Sequence, residues 1–154
     1  MSVWNRYATT YDRLWVQRVS LGPTRKLVIQ KLSQIFKQGE PFSLLDMSCG
    51  TGQLLTDIAT HFPSSQRLGI EPSALGTTAM QKGHQVMTLT IDALIKPNFT
   101  PGFDSQAPFD AITCTHAFPY YPNQPGAILA LSRHLKPGGH LLIAHAEAAT
   151  QIGR

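Results

Sequence analysis

Acidic residues are scarce in this chain: 9 Asp and Glu stand among 154 residues, against 13 Lys and Arg. Charged residues reach only 14% while hydrophobic ones make up 42%, a balance that excludes a disordered segment or a long solvated coiled coil. Cysteine is limited to Cys49 and Cys114, too few for a disulfide framework, so a reducing compartment, the cytoplasm, is expected. No apolar run approaches the roughly 18–20 residues of a membrane helix, and no membrane role is expected. The opening residues contain no apolar segment resembling a signal peptide. Repeats, linkers and low-complexity stretches are also lacking. The length suits a single core, which usually spans roughly 100–150 residues, so residues 1–154 read as one domain.

The net charge of +4 raises the question of nucleic acid. Its distribution answers against one. Arg6, Arg13, Arg18, Arg25, Lys26, Lys31 and Lys37 are strung along the first forty residues at spacings that scatter them around a helix. No basic cluster interleaves with aromatics as a strand-binding surface requires. These residues read as a solvated helical face.

Periodicity then divides the chain. Trp4, Tyr7, Tyr11, Leu14, Trp15 and Val19 recur at steps of three and four, predicting an amphipathic helix over 4–20. Pro23 opens a second helix that Gly39 stops. From there strands alternate with helices. Strands are predicted at 42–47, 67–71, 85–91, 109–115 and 140–144. Helices are predicted at 53–61, from Pro72 and Ser73 to Lys82, and at 126–135. A loop at 96–108 and a Lys136-Pro137-Gly138-Gly139 turn complete the pattern. The strands are continuously apolar, the mark of a parallel sheet covered on both faces, and right-handed crossovers make it an α/β, doubly wound, Rossmann-like fold.

The scarcity of acids makes their placement informative. Asp46, Glu71 and Asp92 each fall at or just past the predicted carboxyl end of a successive strand, the end that faces the ligand crevice in an open α/β sheet. A carboxylate after the second strand is placed to accept ribose hydroxyls, and one after the third to accept an exocyclic amine. Between the first strand and its helix runs Asp46-Met47-Ser48-Cys49-Gly50-Thr51-Gly52. Gly50 and Gly52 allow a tight turn and close approach of a ligand to the backbone. A dinucleotide fingerprint would place a third glycine near position 55, where this chain has Leu55, and no Lys-Ser/Thr pair follows to make a P-loop. Asp46 beside the turn disfavours a phosphate and favours a cationic ligand.

The segment Leu44-Leu45-Asp46-Met47-Ser48-Cys49-Gly50-Thr51-Gly52 resembles the first motif of class I S-adenosylmethionine-dependent methyltransferases. Gly69-Ile70-Glu71-Pro72-Ser73 resembles the second, Asp92-Ala93 the third and Phe109-Asp110-Ala111-Ile112 the fourth, while Leu131 to Leu141 is similar to the turn into the fifth strand. The similarity runs from about Tyr7 to Glu147. It implies S-adenosylmethionine as cofactor and methyl transfer, with a small-molecule acceptor expected. It further implies Gly50 and Gly52, with Ser48 and Cys49, under the amino-acid portion of the cofactor, and Asp46 holding that end. Glu71 falls on the ribose, Pro72 against adenine, Asp92 and Ala93 at the adenine edge, and Thr115 and His116 near the methionine part. Tyr7 and Tyr11 resemble aromatics of a first helix that covers the cofactor, which makes residues 1–40 a lid over a core at 41–154.

Two departures stand out. Ser48 occupies the motif's first glycine position, which predicts a slightly altered turn. The family's sheet continues with a helix and an antiparallel strand pair, for which no residues remain before Arg154. Either the chain is a shortened form, or the exposed Leu141-Leu142-Ile143-Ala144 edge is covered by a partner such as a second copy. His116 is the candidate general base, with an ordinary pKa near ~6.5. Tyr120 is a second catalytic candidate. Tyr120 and Tyr121 also suit the pocket wall, and His145 the substrate side or a terminal tether. Cys49, Cys114 and His116 lack metal-ligand spacing, so no metal is expected. Two rival readings are a non-catalytic methyltransferase-like binding or assembly module, and a nicotinamide-dependent reductase, which Leu55 and Asp92 disfavour.

Overall fold

A computed structural model describes residues 21–96 and 102–145. The predicted helix over 4–20, with Tyr7 and Tyr11, lies outside the described residues, as do residues 97–101 of the 96–108 loop and Glu147. Helix α1 (Gly22–Ile35) starts with Pro23 in its first turn and buries Val28, Ile29 and Leu32. Strand β1 (Ser43–Met47) leads to α2 (Gln53–His61), β2 (Gln66–Ile70), α3 (Leu75–Gln81), β3 (Val86–Met87), α4 (Ile91–Ile95), β4 (Phe109–Thr115), α5 (Gln124–Arg133) and β5 (Leu135–Ala144). The five strands form one sheet in the order β3-β2-β1-β4-β5, every pairing parallel. This is the doubly wound arrangement, and the order reverses between β1 and β4, where such sheets open a crevice at their carboxyl ends.

Strand alternation assigns the core. Leu45, Met47, Leu68, Ile70 and Ile112 join Leu94, Ala127 and Leu131 of α4 and α5 on one face. Leu44 and Ala111 join Val28, Leu32, Leu54 and Ile58 of α1 and α2 on the other. Asp46 lies two residues beyond Leu44 and Thr113 two beyond Ala111, so both belong to this second face. The registers place Asp46 opposite Thr113 on β4 and opposite Gly69 on β2. Asp46 therefore has a hydroxyl on one side and no side chain on the other.

Three predicted boundaries are corrected. The third strand is only Val86–Met87, because Thr90 caps a short helix instead: its Oγ1 accepts from the Ala93 N–H at 3.3 Å, and Ile91 and Leu94 turn into the core. Asp92 consequently sits exposed in the first turn of α4 rather than at a strand tip. The Lys136–Gly139 turn lies inside the fifth strand as a bulge, since Phe109 pairs with Leu135 while Ala111 pairs with His140. Lys136 Nζ donates to Asp110 Oδ2 at 2.9 Å and holds the bulge against β4. The last helix begins at Gln124, two residues early, because the Asn123 side chain accepts from the Gly126 N–H at 2.9 Å.

Candidate active site

The β1–α2 turn is built on left-handed backbone: φ is 61° at Ser48, 55° at Gly50 and 74° at Gly52. At Gly52 a Cβ would come 2.8 Å from the His84 ring and 2.9 Å from Ala79 Cβ, so the bare backbone is needed for α2 to pack on α3. A Cβ on Gly50 would meet nothing within 4 Å. The Cys49 N–H donates to the Ile70 carbonyl at 2.9 Å and Lys82 Nζ donates to the Thr51 carbonyl at 3.0 Å, fixing the turn from behind. Leu55, where a dinucleotide site wants glycine, is fully buried with its Cδ1 against Gly69. The small residue that this helix–strand contact needs is on the strand.

Asp46 is 1% exposed, and its Oδ1 accepts from Thr113 Oγ1 at 2.8 Å. Its Oδ2 is buried without a hydrogen-bond partner. Burial pushes the carboxyl up to about 7, against the Thr113 hydrogen bond that lowers it, and the charge of Glu71 adds to the rise. A buried, unpartnered carboxylate oxygen next to a glycine turn calls for a donor from outside, and a cationic one gains most from the low dielectric. Glu71 is also buried. Its Oε2 accepts from the Gly50 N–H at 3.0 Å, and its Oε1 accepts from the Ser73 N–H at 2.9 Å and from Ser73 Oγ at 2.6 Å. The second acid thus organises the turn itself and keeps lone-pair capacity on Oε2 for one further donor.

A hollow opens over this turn, lined by Arg25, Ser48, Gly50, Gln53, Thr115 and His116, among others. His116 follows β4 with φ of 60°, and its N–H donates to the Ala144 carbonyl at 2.8 Å. Burial lowers its pKa, helped by His145 and Arg25, so the ring is neutral at neutral pH and can accept a proton. Arg25 reaches over from α1, with Nε donating to Asp57 Oδ2 at 2.8 Å and Nη1 to Gln53 Oε1. Burial pushes both thiols up, Cys114 to about 11, so neither supplies a thiolate nucleophile at neutral pH. Among the described residues no group of His, Cys, Asp or Glu side chains is placed to hold a metal ion.

A family model described as a methyltransferase domain matches residues 21–152. The chain belongs to the methyltransferase-domain family. It is 27% identical over 110 residues to the phthiotriol/phenolphthiotriol dimycocerosates methyltransferase of Mycobacterium leprae, covering 71% of this chain and 40% of that one. To the trans-aconitate 2-methyltransferase of Deinococcus radiodurans it is 29% identical over 104 residues, 65% of this chain and 36% of that one. The solved sugar N-methyltransferase KedS8 from Streptoalloteichus superposes with a TM-score of 0.65 at 28% identity, covering 87% of this chain and 52% of that one. The chain spans about two fifths of the curated relatives' length and about half of the solved structure.

Within this methyltransferase domain the predicted residues fall into two groups. Asp46, Ser48, Cys49, Gly50, Gly52, Glu71, Thr115 and His116 gather where β1, β2 and β4 end. Pro72 follows Glu71 directly and is exposed. Asp92 and Ala93 sit on α4, and the Ala93 N–H is engaged by Thr90. Tyr11 lies outside the described residues. Tyr120 is 75% exposed and does not line the hollow, whereas Tyr121 turns inward, its hydroxyl sharing hydrogen bonds with Ser48 Oγ at 2.8 Å and Cys114 Sγ at 3.4 Å. From sequence, Arg25 belongs to an ordinary solvated helical face and Gln53 to the start of a helix, and neither is expected at the site. No spacing in the sequence signals the contact, because only the α1–α2 packing brings residue 25 to residues 53 and 57.

Proposed function

We propose that this chain is the donor-binding core of an S-adenosylmethionine-dependent methyltransferase acting on a small-molecule acceptor. The observation that carries the reading is the buried, unpartnered Oδ2 of Asp46 beside the glycine turn, at the point where the strand order reverses. The donor, when bound, supplies a methyl group on a positively charged sulfur. Asp46 would accept its ammonium, Glu71 Oε2 a ribose hydroxyl, and the open space over Gly50 its amino-acid chain. Neutral His116 would take the proton that an oxygen or nitrogen acceptor gives up. The relatives' names give different acceptors, phthiotriol dimycocerosates, trans-aconitate and a sugar, and none of these is a protein or a nucleic acid, which supports a small-molecule acceptor. No described helix is long and apolar enough to cross a membrane. The half-buried residues Leu141–Ala144 form the open edge of the described sheet, and pairing with a second copy there would be read by light scattering. Calorimetry with S-adenosylhomocysteine tests the central reading. Micromolar binding supports it. No binding, or a preference for NAD(H), overturns it.

A further inference from the structure

Two residues that are not glycine adopt left-handed backbone among those described, Ser48 with φ of 61° and His116 with φ of 60°. They sit at the tips of β1 and β4, neighbouring strands, and both line the same hollow. Such a conformation is unfavourable for an L-residue and persists only where its surroundings enforce it. At Ser48 the enforcing contact is visible. Its hydroxyl is 2.8 Å from the Tyr121 hydroxyl, a bond that joins positions 73 residues apart. Tyr121 is held in turn. Its N–H donates to the Phe118 carbonyl at 3.1 Å, its ring meets Phe118 edge-on with centroids 5.9 Å apart, and its hydroxyl lies 3.4 Å from Cys114 Sγ. Burial raises the phenol's pKa, so the hydroxyl keeps its proton and remains both donor and acceptor.

The geometry points to Tyr121 as a positioning residue that, through Ser48, ties the segment after β4 to the glycine turn and so sets the two sides of the hollow in one arrangement. A glycine at position 48 would relieve the backbone but carry no hydroxyl. Serine retains the strained conformation and gains a handle on the opposite wall. The segment it grips follows His116, the candidate base, and carries the outer tyrosine. Preorganising both walls before a ligand arrives reduces what binding must order. The inference rests on the donor-site reading for its functional consequence and on the hydrogen bond alone for its structural one.

The two layers are tested separately on the whole chain. Hydrogen exchange of residues 116–121 is compared in wild type, Ser48→Gly and Tyr121→Phe without ligand. Faster exchange confined to that segment, with α5 unchanged, supports the tie, and unchanged exchange overturns it. The dissociation constant for S-adenosylhomocysteine and the melting midpoint are then measured for both single variants, the double variant and Ser48→Ala. Each single change is expected to weaken binding about three- to tenfold, and the double no more than the worse single, since both remove the shared Ser48–Tyr121 bond. The midpoint of Ser48→Gly should equal or exceed that of Ser48→Ala, which keeps the strain and loses the bond. Affinity and midpoint falling together, with additive losses in the double variant, would reduce Tyr121 to ordinary packing and overturn the proposal. A wild type that fails to bind S-adenosylhomocysteine sinks the donor reading, while the exchange experiment still decides the tie.

Discussion

Replacing Asp46 by Asn should change how stability depends on pH. In the folded chain the carboxyl titrates at about 7, against an ordinary value of 3.8. A raised folded pKa means that the folded state prefers the protonated form. Its stabilising contribution is complete below the unfolded value of 3.8 and is lost as pH rises through about 7. The gap is about 3 pH units, and at about 1.4 kcal/mol per unit the ceiling is about 4 kcal/mol lost between pH 4 and pH 8. Asn keeps an acceptor for Thr113 but places an amide N–H₂ where Oδ2 finds no partner, which costs about 1–3 kcal/mol at any pH. The difference in unfolding free energy between variant and wild type should therefore climb towards the variant as pH rises, most steeply from about pH 4 to 7. His84 and His116, whose lowered values give the opposite slope, cancel in that difference. Urea titrations at unit pH steps measure it. Parallel curves for the two proteins would refute the burial argument. The same group predicts the ligand side: an ammonium at Oδ2 meets the ionised form, so S-adenosylhomocysteine should bind wild type about tenfold more tightly per pH unit up to about 7, and Asp46→Asn without that dependence.

Gly52→Ala should lower stability by about 1–3 kcal/mol, because a methyl at φ 74° meets both His84 and Ala79, and a denaturant midpoint equal to wild type would contradict this. Glu71→Ala should weaken S-adenosylhomocysteine binding by about 1.5–3 kcal/mol in calorimetry and also lower the melting midpoint, since it frees the Gly50 and Ser73 N–H groups; unchanged affinity counts against its ligand role. Asp110 has the opposite sign to Asp46. Hydrogen bonds from Ser43 and Lys136 outweigh burial and lower its pKa, so its contribution is present above 3.8 and lost as pH falls through the folded value. Asp110→Asn should cost about 1 kcal/mol in urea at pH 7, with the gap to wild type closing in acid.

The sheet and the turn were legible because the patterns that encode them are local. Adjacent apolar pairs, Leu44-Leu45 within 42–47 and Ala111-Ile112 within 109–115, put apolar side chains on both faces of their strands, which only a layer of helices on each face can bury, and β1 and β4 lie there. What escaped reading depended on contacts between distant segments. Apolarity over 85–91 suggests one strand, but Ile91 and Leu94 are buried equally well from a helix once Thr90 caps it, and a run of that length does not distinguish the two. Pro137-Gly138-Gly139 carries the composition of a turn, and the bulge becomes visible only when Asp110 and Lys136 are seen to meet. Tyr120 and Tyr121 are adjacent and chemically equal. A short 3-10 turn over Phe118–Tyr120 decides which faces out, and no spacing in the sequence states its phase.

The contrast between Asp46 and Asp110 locates function within the fold. Both are on central strands of one sheet, at opposite ends, and their acidities move in opposite directions. Asp110, at the amino end of β4, is met by the Ser43 N–H at 2.7 Å, Ser43 Oγ at 2.9 Å and Lys136 at 2.9 Å, the arrangement expected where only stability is at stake. Asp46, at the carboxyl end of β1, is left with an oxygen that the protein does not satisfy, between a hydroxyl and a glycine. Beside it are the left-handed non-glycine residues Ser48 and His116. A buried half-satisfied carboxylate and two strained backbone positions each reduce stability, and their concentration at one end of the sheet has no structural return. A ligand that brings a cation to Asp46 supplies the missing partner, so the energetic defects of the free chain and the chemistry of the proposed donor describe the same site.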